Sequence, residues 1–491
     1  MQLKKLLKDL HIEKIYGPRD INVEGISSHS AGLKQGYMFV ALIGKTRDGH
    51  DFIPEVINKG AVVVVIEKDL KIPLNGITYI NVRDTQEALA KIADNFYDNP
   101  THHMKMVGIT GTNGKTTVSY LVENILKMHG FKTGRMGTID YSWGERVIPS
   151  SHTTPPPLFL SETFNKMVAD KVKAVVMEVS SHSLAQKRVD SIQFDSCIFT
   201  NISRDHLDYH STLSHYISSK RRLVELLALS SKKNKFLIIN GDDETLKSFP
   251  SLNLPCISYG LKKTNDVYAS EVKFDWGGIE FYLNSPWYKG ELWVPLVGNF
   301  NLYNVLASIS WAGMEGLTVS KVIENFRNIK QVVGRFQIFK KNGITAIVDY
   351  AHTPDALEKV IQTTRELTKG KLITVFGCGG DRDKGKRPIM GGISSKGSDY
   401  TIVTSDNPRF EDPLLIIEDI KKGLIGEKWC VESDREKAIR QGIEMLKNGD
   451  VLLVVGKGHE NYQVLKDTVK PFSDIEILKG IFNGTHNFRN T

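Results

Sequence analysis

The chain has 491 residues, too many for one hydrophobic core, so two to four domains are expected. With 41% hydrophobic and 24% charged residues and no low-complexity tract, its composition excludes a disordered or fibrous protein. The longest apolar run, residues 61–66, is far too short for a helical membrane span. The net charge of +8 comes without a lysine/arginine stripe or interleaved aromatics, which favours an enzyme focusing anionic substrates over a nucleic-acid binder.

Along the chain, the first residues are basic but carry no apolar core, so no secretory signal is expected. Cys197, Cys256, Cys378 and Cys430 lie far apart with no metal or disulfide spacing, which suits a reducing cytoplasm. Residues 61–66, 77–82, 104–109, 173–177, 196–200, 236–239, 344–348, 371–376, 400–404 and 451–455 read as buried strands. Helical patterns at 85–97, 318–328, 354–368 and 434–447 alternate with several of them, the signature of parallel, doubly wound sheets. Residues 265–295, with Trp276, Trp287 and Trp293, alternate instead and predict an antiparallel excursion. Boundaries near Asn99-Pro100 and near 331–334 divide the chain into domains 1–99, 100–332 and 333–491.

The stretch Gly108-Ile-Thr-Gly-Thr-Asn-Gly-Lys-Thr-Thr117 follows an apolar run and precedes Val118, Leu121, Val122, Ile125 and Leu126 at helical spacing. Strand, glycine turn and helix in that order make a phosphate cradle. Gly111 and Gly114 let backbone N–H groups approach phosphate oxygens, and the helix N-terminus adds its dipole. Lys115 is placed to reach the terminal phosphates and Thr116 to hold a magnesium ion. Ile109 stands where the full G-x-x-x-x-G-K-[ST] pattern has glycine, so the loop is a shortened variant. A glycine-rich turn with a chance lysine is the alternative.

Several strands end in polar loops. Val348 leads into Asp349-Tyr-Ala-His-Thr-Pro-Asp355, Phe376 into residues 377–387, Thr404 into Ser405-Asp-Asn-Pro-Arg409, and Val455 into Gly456-Lys-Gly-His-Glu460. Met177 leads into Glu178-Val-Ser-Ser-His182 and Thr200 into Asn201-Ile-Ser-Arg-Asp-His-Leu-Asp-Tyr-His210. Ligands of open α/β sheets bind beyond the carboxyl ends of strands, so the C-terminal set is predicted to line one cleft and the central set to gather beside the phosphate loop.

These motifs, in this order and together with Val40-Ala-Leu-Ile-Gly-Lys-Thr-Arg-Asp-Gly-His50, resemble the Mur ligases, the ATP-dependent amide-forming enzymes of peptidoglycan assembly. The resemblance covers nearly the whole chain. It implies an α/β fold of three domains: an N-terminal mixed α/β domain for UDP-N-acetylmuramoyl substrate, a central ATP-binding parallel sheet, and a C-terminal Rossmann-like domain for the amino acid. It further implies ATP as co-substrate, two Mg2+ ions, an acyl-phosphate intermediate, and a cytoplasmic monomer with no nucleic-acid or membrane partner.

By that resemblance ATP would meet Gly111, Thr112, Asn113, Gly114, Lys115, Thr116 and Thr117, then Asn301 on the adenine side, Arg335 on the phosphates, and His352 and Asp355. Thr116, Glu178 and His206 would be metal ligands. Lys220 would become a ligand as a carbamate (N6-carboxylysine), and Lys115, Glu178, His206 and Lys220 would form the catalytic set. From the residues alone, His206 reads as a structural hydrogen-bonding histidine, and Lys220-Arg-Arg222 as a solvated helix face. Asn301 reads as a helix cap and Arg335 as the partner of an acid.

Ser30, Thr153, Thr154, Ser180 and Arg188 match positions for UDP-N-acetylmuramoyl-L-alanyl-D-glutamate. His29 and Ala31 stand where relatives carry Asp and Arg around that serine. Pro155 to Pro157 would keep the loop after the threonines extended. Asp406-Asn-Pro-Arg409 goes with meso-diaminopimelate in the family, since a guanidinium can take its distal carboxylate bidentately. Arg382, Asp406, Asn407, Pro408, Arg409, Gly456 and Glu460 would form that pocket, with Glu460 opposite the distal ammonium. A surface Arg409 paired to Glu411 or Asp412 is the alternative. A lysine-adding or folate-type ligase, a P-loop NTPase without amide chemistry, and a non-catalytic binder remain as competing functions.

Overall fold

The structure is a computed structural model that describes residues 1–44, 46–68, 76–250 and 253–484; Lys45 of the first-domain motif lies outside them. Three main sheets follow one another along the chain, with strands drawn from residues 12–82, 105–294 and 337–455.

The first sheet has five strands in the order Ile12–Tyr16, Thr78–Val82, Val63–Ile66, Tyr37–Val40, Gly25–Ser27. Only the edge strand Ile12–Tyr16 is antiparallel to its neighbour. Val63–Ile66 is buried at all four positions, as a strand covered on both faces must be. The helix Thr85–Phe96 starts where the Asp84 side chain accepts from Glu87 N and turns Leu89, Ile92 and Ala93 into the core.

The second sheet has eleven strands. Its parallel centre places Cys256–Gly260, Phe236–Asn240, Ser196–Phe199, Lys105–Thr110, Ala174–Glu178 and Thr133–Met136 side by side. Val267–Phe274, Ile279–Asn284 and Lys289–Val294 form the antiparallel excursion at one edge. A second antiparallel flank, Asp140–Trp143 and Arg146–Pro149, was invisible in the sequence pattern. The parallel register sets Ile109 level with Glu178 and Thr110 level with Phe199, so the loops that follow leave one edge together.

The third sheet runs Gln337–Lys341, Ile344–Asp349, Val451–Val455, Leu372–Phe376, Tyr400–Val403, Trp429–Val431. Its register puts Asp349, Val455, Phe376 and Val403 in one row. The four chemically rich loops therefore emerge side by side, as strand-end reasoning required. A short hairpin, Tyr462–Leu465 with Thr468–Pro471, follows them.

Two expectations are corrected. Pro155 to Pro157 do not form an extended loop throughout: Pro156 is extended, but Pro157 opens the helix Pro157–Ala169, where a missing N–H costs nothing. Lys220 is not on a solvated face. The helix Leu213–Leu229 turns it inward to 1% exposure, while Arg221 stays exposed and Arg222 pairs with Asp190.

Candidate active site

A cavity of about 520 Å3 opens where the second and third sheets face each other. The phosphate loop forms its floor. Gly111 (φ 147°) and Gly114 (φ 87°) adopt backbone that side chains avoid. A Cβ on Gly111 would come within 1.9 Å of Thr200 Oγ1, and one on Gly114 within 2.4 Å of Asn304 Oδ1. The strand-end residue Asn201 clamps the loop: its carbonyl accepts from Thr112 N (2.8 Å) and its Oδ1 from Asn113 N (3.0 Å). Thr200 Oγ1 donates to Asn113 O at 2.6 Å.

Lys115, the first residue of the helix Lys115–Met128, folds its ammonium back onto Gly111 O and Thr112 O, each at 2.9 Å. Burial holds its pKa below the ordinary lysine value despite the Glu178 and Asp205 carboxylates. Lys220 reaches the same carbonyl from the other side, Nζ to Gly111 O at 2.8 Å. Burial, and the neighbouring Lys115 charge, pull its pKa well below the ordinary value, and hence toward the neutral amine.

Glu178 is fully buried and collects hydroxyls. Thr116 Oγ1 donates to its Oε2 at 3.0 Å and Thr138 Oγ1 to the same oxygen at 2.9 Å, while Thr138 N donates to Oε1 at 3.0 Å. Thr138 follows the short strand Thr133–Met136 and was not singled out from sequence, since Thr-Gly-Arg-Met carries no apolar run. His206 also lines the cavity, with Asp205 Oδ2 at 3.3 Å from its Nε2. Burial pushes its pKa down to about 3, leaving a neutral imidazole able to offer a lone pair. Among the described residues no group of three or more His, Cys, Asp or Glu side chains is arranged to hold a metal.

Thr153 lines the cavity and meets Thr138, Oγ1 to Oγ1 at 3.1 Å. Thr154 is buried beside it, donating to Glu178 O (2.8 Å) and accepting from Ser180 N (3.0 Å). Ser180 caps the short helix Ser181–Ala185, and Arg188 Nη1 donates to Thr154 O at 2.8 Å. These four cluster beside the Glu178 strand end. Ser30 does not line the cavity; it sits in the turn Ser30–Gly32 of the first sheet, its carbonyl accepting from Lys59 Nζ at 2.9 Å.

On the nucleotide side the helix Asn299–Met314 presents Asn301, whose Nδ2 donates to Val297 O (2.9 Å) and whose Oδ1 accepts from Asn304 Nδ2 (3.2 Å). The cap position is Gly298, so Asn301 is not the cap. Arg335 crosses from the third sheet's side, Nη2 donating to Thr116 Oγ1 at 2.9 Å, with its guanidinium 4.4 Å from the Tyr350 ring centroid. Asp355 accepts from Asn113 Nδ2 (3.0 Å) and Ser203 Oγ (3.2 Å), joining the two sheets' loops. His352 lines the cavity with its Nδ1 on Tyr350 O at 2.8 Å, and burial pushes its pKa to about 4.

The loops after the third sheet form a second cluster next to this cavity. Asn407 Nδ2 donates to Glu460 Oε2 at 2.8 Å. Arg409 has φ 53° and is pinned by the hairpin: its N donates to Val464 O, and Lys466 N to its O. Its Nη1 donates to Gly380 O at 2.9 Å rather than to Glu411, whose carboxylate is taken by buried Arg387. Arg382 donates to Asp381 O, and burial and the nearby Arg409 charge both lower its pKa. A Cβ on Gly379 would come within 2.9 Å of Arg409 Nη1 and 3.9 Å of Arg382 Cγ, so the two side chains border the same glycine. Pro408 is buried, and a Cβ on Gly456 (φ 116°) would come within 2.7 Å of Asp406 Oδ2. Lys457, fully buried between Asn407 and Glu460, lay inside a recognised motif yet was assigned no part from sequence.

Three family descriptions match the chain: Mur ligase family, catalytic domain, over residues 22–97; Mur ligase middle domain over 109–312; and Mur ligase, glutamate ligase domain, over 334–458. A UDP-N-acetylmuramoyl-L-alanyl-D-glutamate--2,6-diaminopimelate ligase 1 of Clostridium acetobutylicum is 42% identical over 97% of this chain and 98% of its own length. Its namesake from Bacteroides thetaiotaomicron is 41% identical, covering 98% and 100%. A solved structure of a ligase of that name superposes with a TM-score of 0.69 at 28% identity, covering 99% of each chain. The MurF ligase from Thermotoga maritima in complex with ADP shares the fold, with a TM-score of 0.62 at 21% identity over 89% of this chain and 95% of that one.

Proposed function

The chain belongs to the Mur ligase family, and from that premise we propose that it joins meso-diaminopimelate to the D-glutamate of UDP-N-acetylmuramoyl-L-alanyl-D-glutamate at the expense of ATP, a step of peptidoglycan synthesis. The observation that carries this reading is the approach of the Arg409 and Arg382 side chains to Gly379, with the Asn407–Glu460 contact in the neighbouring loops. Such a pocket offers cations to a distal carboxylate and a carboxylate to a distal ammonium. A lysine-adding enzyme would leave the guanidiniums unpaired.

The domains implied are 1–99 for the uridine nucleotide, 100–332 for ATP and 333–491 for the amino acid. Each main sheet falls within one of them. Ser30 is assigned to the nucleotide, and Thr153, Thr154, Ser180 and Arg188 to the peptidyl end. ATP is assigned to the phosphate loop, Asn301, Arg335, His352 and Asp355. The D-glutamate carboxylate attacks the terminal phosphorus, releasing ADP and giving an acyl phosphate. The amine then adds to the acyl carbon, loses a proton, and inorganic phosphate leaves as the amide forms. Catalysis of this kind rests on positioning and charge neutralisation. Lys115, released from its carbonyls, neutralises the transferring phosphoryl group, and Arg335 supplies a second cation from the opposite domain.

The buried Glu178 with the Thr116 and Thr138 hydroxyls on one of its oxygens suits a hard cation, which takes its other ligands from phosphates and water. Thr116, Glu178 and His206 would hold magnesium there, with Lys220 joining as a carbamate. Magnesium so bound would spread the negative charge of the reacting phosphoryl oxygens. Carbamate formation needs a lysine biased toward its neutral amine, and burial together with the Lys115 charge shifts the Lys220 pKa in that direction.

Among the described residues no helix is long and apolar enough to cross a membrane, which accords with action in the cytoplasm on soluble nucleotide substrates. The test is product formation. The purified chain receives ATP, magnesium and the UDP-linked dipeptide, with meso-diaminopimelate or L-lysine in parallel, and products are read by mass. A tripeptide with diaminopimelate alone is expected. A lysine product instead would sink the specificity, and phosphate release without either product would sink the ligase reading.

A further inference from the structure

Lys457 follows the buried strand Val451–Val455 and is itself 0% exposed. An ammonium removed from water is tolerated only where partners compensate for the lost hydration. Its Nζ donates to Glu460 Oε2 at 2.9 Å and to Asn407 Oδ1 at 3.0 Å, with the Tyr462 ring centroid 5.6 Å away. Asn407 Nδ2 closes the triangle on the same Glu460 oxygen at 2.8 Å. Because Asn407 Oδ1 also accepts from Val464 N at 3.0 Å, the amide has one workable orientation, with its NH2 toward Glu460. Both donors share Oε2 of Glu460, so Oε1 is the oxygen to meet an incoming ammonium.

Lys457 also offsets the charge of two acids. Burial raises the pKa of Glu460 and the nearby Asp406 charge raises it further, while Lys457 opposes both. For Asp406 the Lys457 charge is the foremost influence against burial, ahead of Arg435. Arg435 is committed elsewhere, to Asp474 through two 2.8 Å bonds. Without Lys457, the Asp406 and Glu460 carboxylates would lose the cation that offsets the burial of both, and Asn407 Oδ1 would keep only Val464 N as a donor.

We propose that Lys457 is the positioning residue of the amine-donor pocket, holding the Glu460 carboxylate and the Asn407 amide in the arrangement that receives the distal ammonium of a diamino acid. This rests on the reading that Glu460 faces the amino acid. Lys457 acts through Glu460, so its removal should weaken the amino acid and leave the other two substrates alone.

Lys457→Met keeps the length of the side chain and removes its charge. In the full chain the KM for meso-diaminopimelate is expected to rise roughly ten- to hundredfold. The KM values for ATP and the UDP-linked dipeptide should stay within about twofold, the scale below which a lost charged hydrogen bond would not register. Glu460→Gln alone should raise the same KM, and the double variant should be no worse than the poorer single one, because coupled residues are not additive. The preference for diaminopimelate over L-lysine should survive, since both carry the distal ammonium. Additive losses, or equal rises in all three KM values, would make Lys457 a packing residue and overturn the proposal. A Glu460→Gln variant with an unchanged diaminopimelate KM would instead overturn the pocket reading itself. Should Lys457→Met not fold, Lys457→Gln, polar and shorter, is read by the same split.

Discussion

Arg335 Nη2 donates to Thr116 Oγ1 at 2.9 Å, so a guanidinium from the third sheet's side rests on the phosphate loop of the second. The Thr116 hydroxyl at the same time donates to Glu178, and the guanidinium lies over Tyr350. Arg335 thus reports whether the two domains are closed over the cavity. Arg335→Ala is expected to lower kcat/KM for ATP by roughly ten- to a hundredfold, the worth of one charged hydrogen bond. Arg335→Lys should recover only part, since an ammonium cannot lie flat on Tyr350 and bridge to phosphate together. Steady-state kinetics at fixed dipeptide checks this; wild-type values for the alanine variant would show that Arg335 touches no phosphate.

The parts of the fold that the sequence exposed were those buried on both faces. Residues such as 63–66 and 451–455 appear as unbroken apolar runs because parallel strands have no wet side. Thr133–Met136 escaped because Arg135 is buried in it, neutralised by Glu123 and Asp140, so an ion-pair network replaces the apolar run. The site followed the same logic. Strand-end loops and the phosphate loop were legible because their chemistry is local. The burial of Lys220 and Lys457 was not, because a lysine's side of a helix or turn depends on partners 109 and 50 residues away.

Lys220 should carry carbon dioxide in the active protein. Burial and the Lys115 charge shift its amine toward the neutral form, the state that adds carbon dioxide. Lys220→Ala is expected to lose activity by roughly a hundredfold or more, the cost of losing a group that organises a metal site. A short exogenous carboxylate such as acetate should restore part of it by filling the vacated space. Depleting bicarbonate should slow the wild type reversibly. An Lys220→Ala variant of undiminished rate would remove the carbamate from the scheme.

Asp94, 2% exposed on the helix Thr85–Phe96, has its pKa raised by burial from the ordinary 3.8 to about 7, with Lys91 opposing weakly. A carboxyl that binds its proton more tightly when folded penalises the folded state above its folded pKa. The penalty fades as pH falls from about 7 toward 3.8. Asp94→Asn should therefore stabilise the chain at pH 8, by on the order of 1–4 kcal/mol, and the gain should shrink to nothing near pH 4. Thermal unfolding of both proteins across that range decides it. A gain independent of pH would mean that ionisation of Asp94 is not its source.

Arg409 should decide which amino acid enters. Its left-handed backbone and its tie to Val464 hold the guanidinium on Gly380 O, away from Glu411, which Arg387 occupies. Its Nη1 is hydrogen-bonded to backbone carbonyls, Gly380 O and Asn407 O, and a distal carboxylate is the group that would complete the guanidinium. Arg409→Ala should cost roughly a hundredfold in kcat/KM for meso-diaminopimelate. It should cost L-lysine little, because lysine brings no carboxylate to that spot, so selectivity collapses while lysine turnover remains. Arg409→Lys should fall between, since one ammonium cannot grip both carboxylate oxygens. Competition between the two amino acids in one reaction gives the ratio directly. If the alanine variant lost both substrates in equal proportion, Arg409 would be supporting the hairpin rather than reading the substrate, and the choice of third residue would have to lie with Arg382.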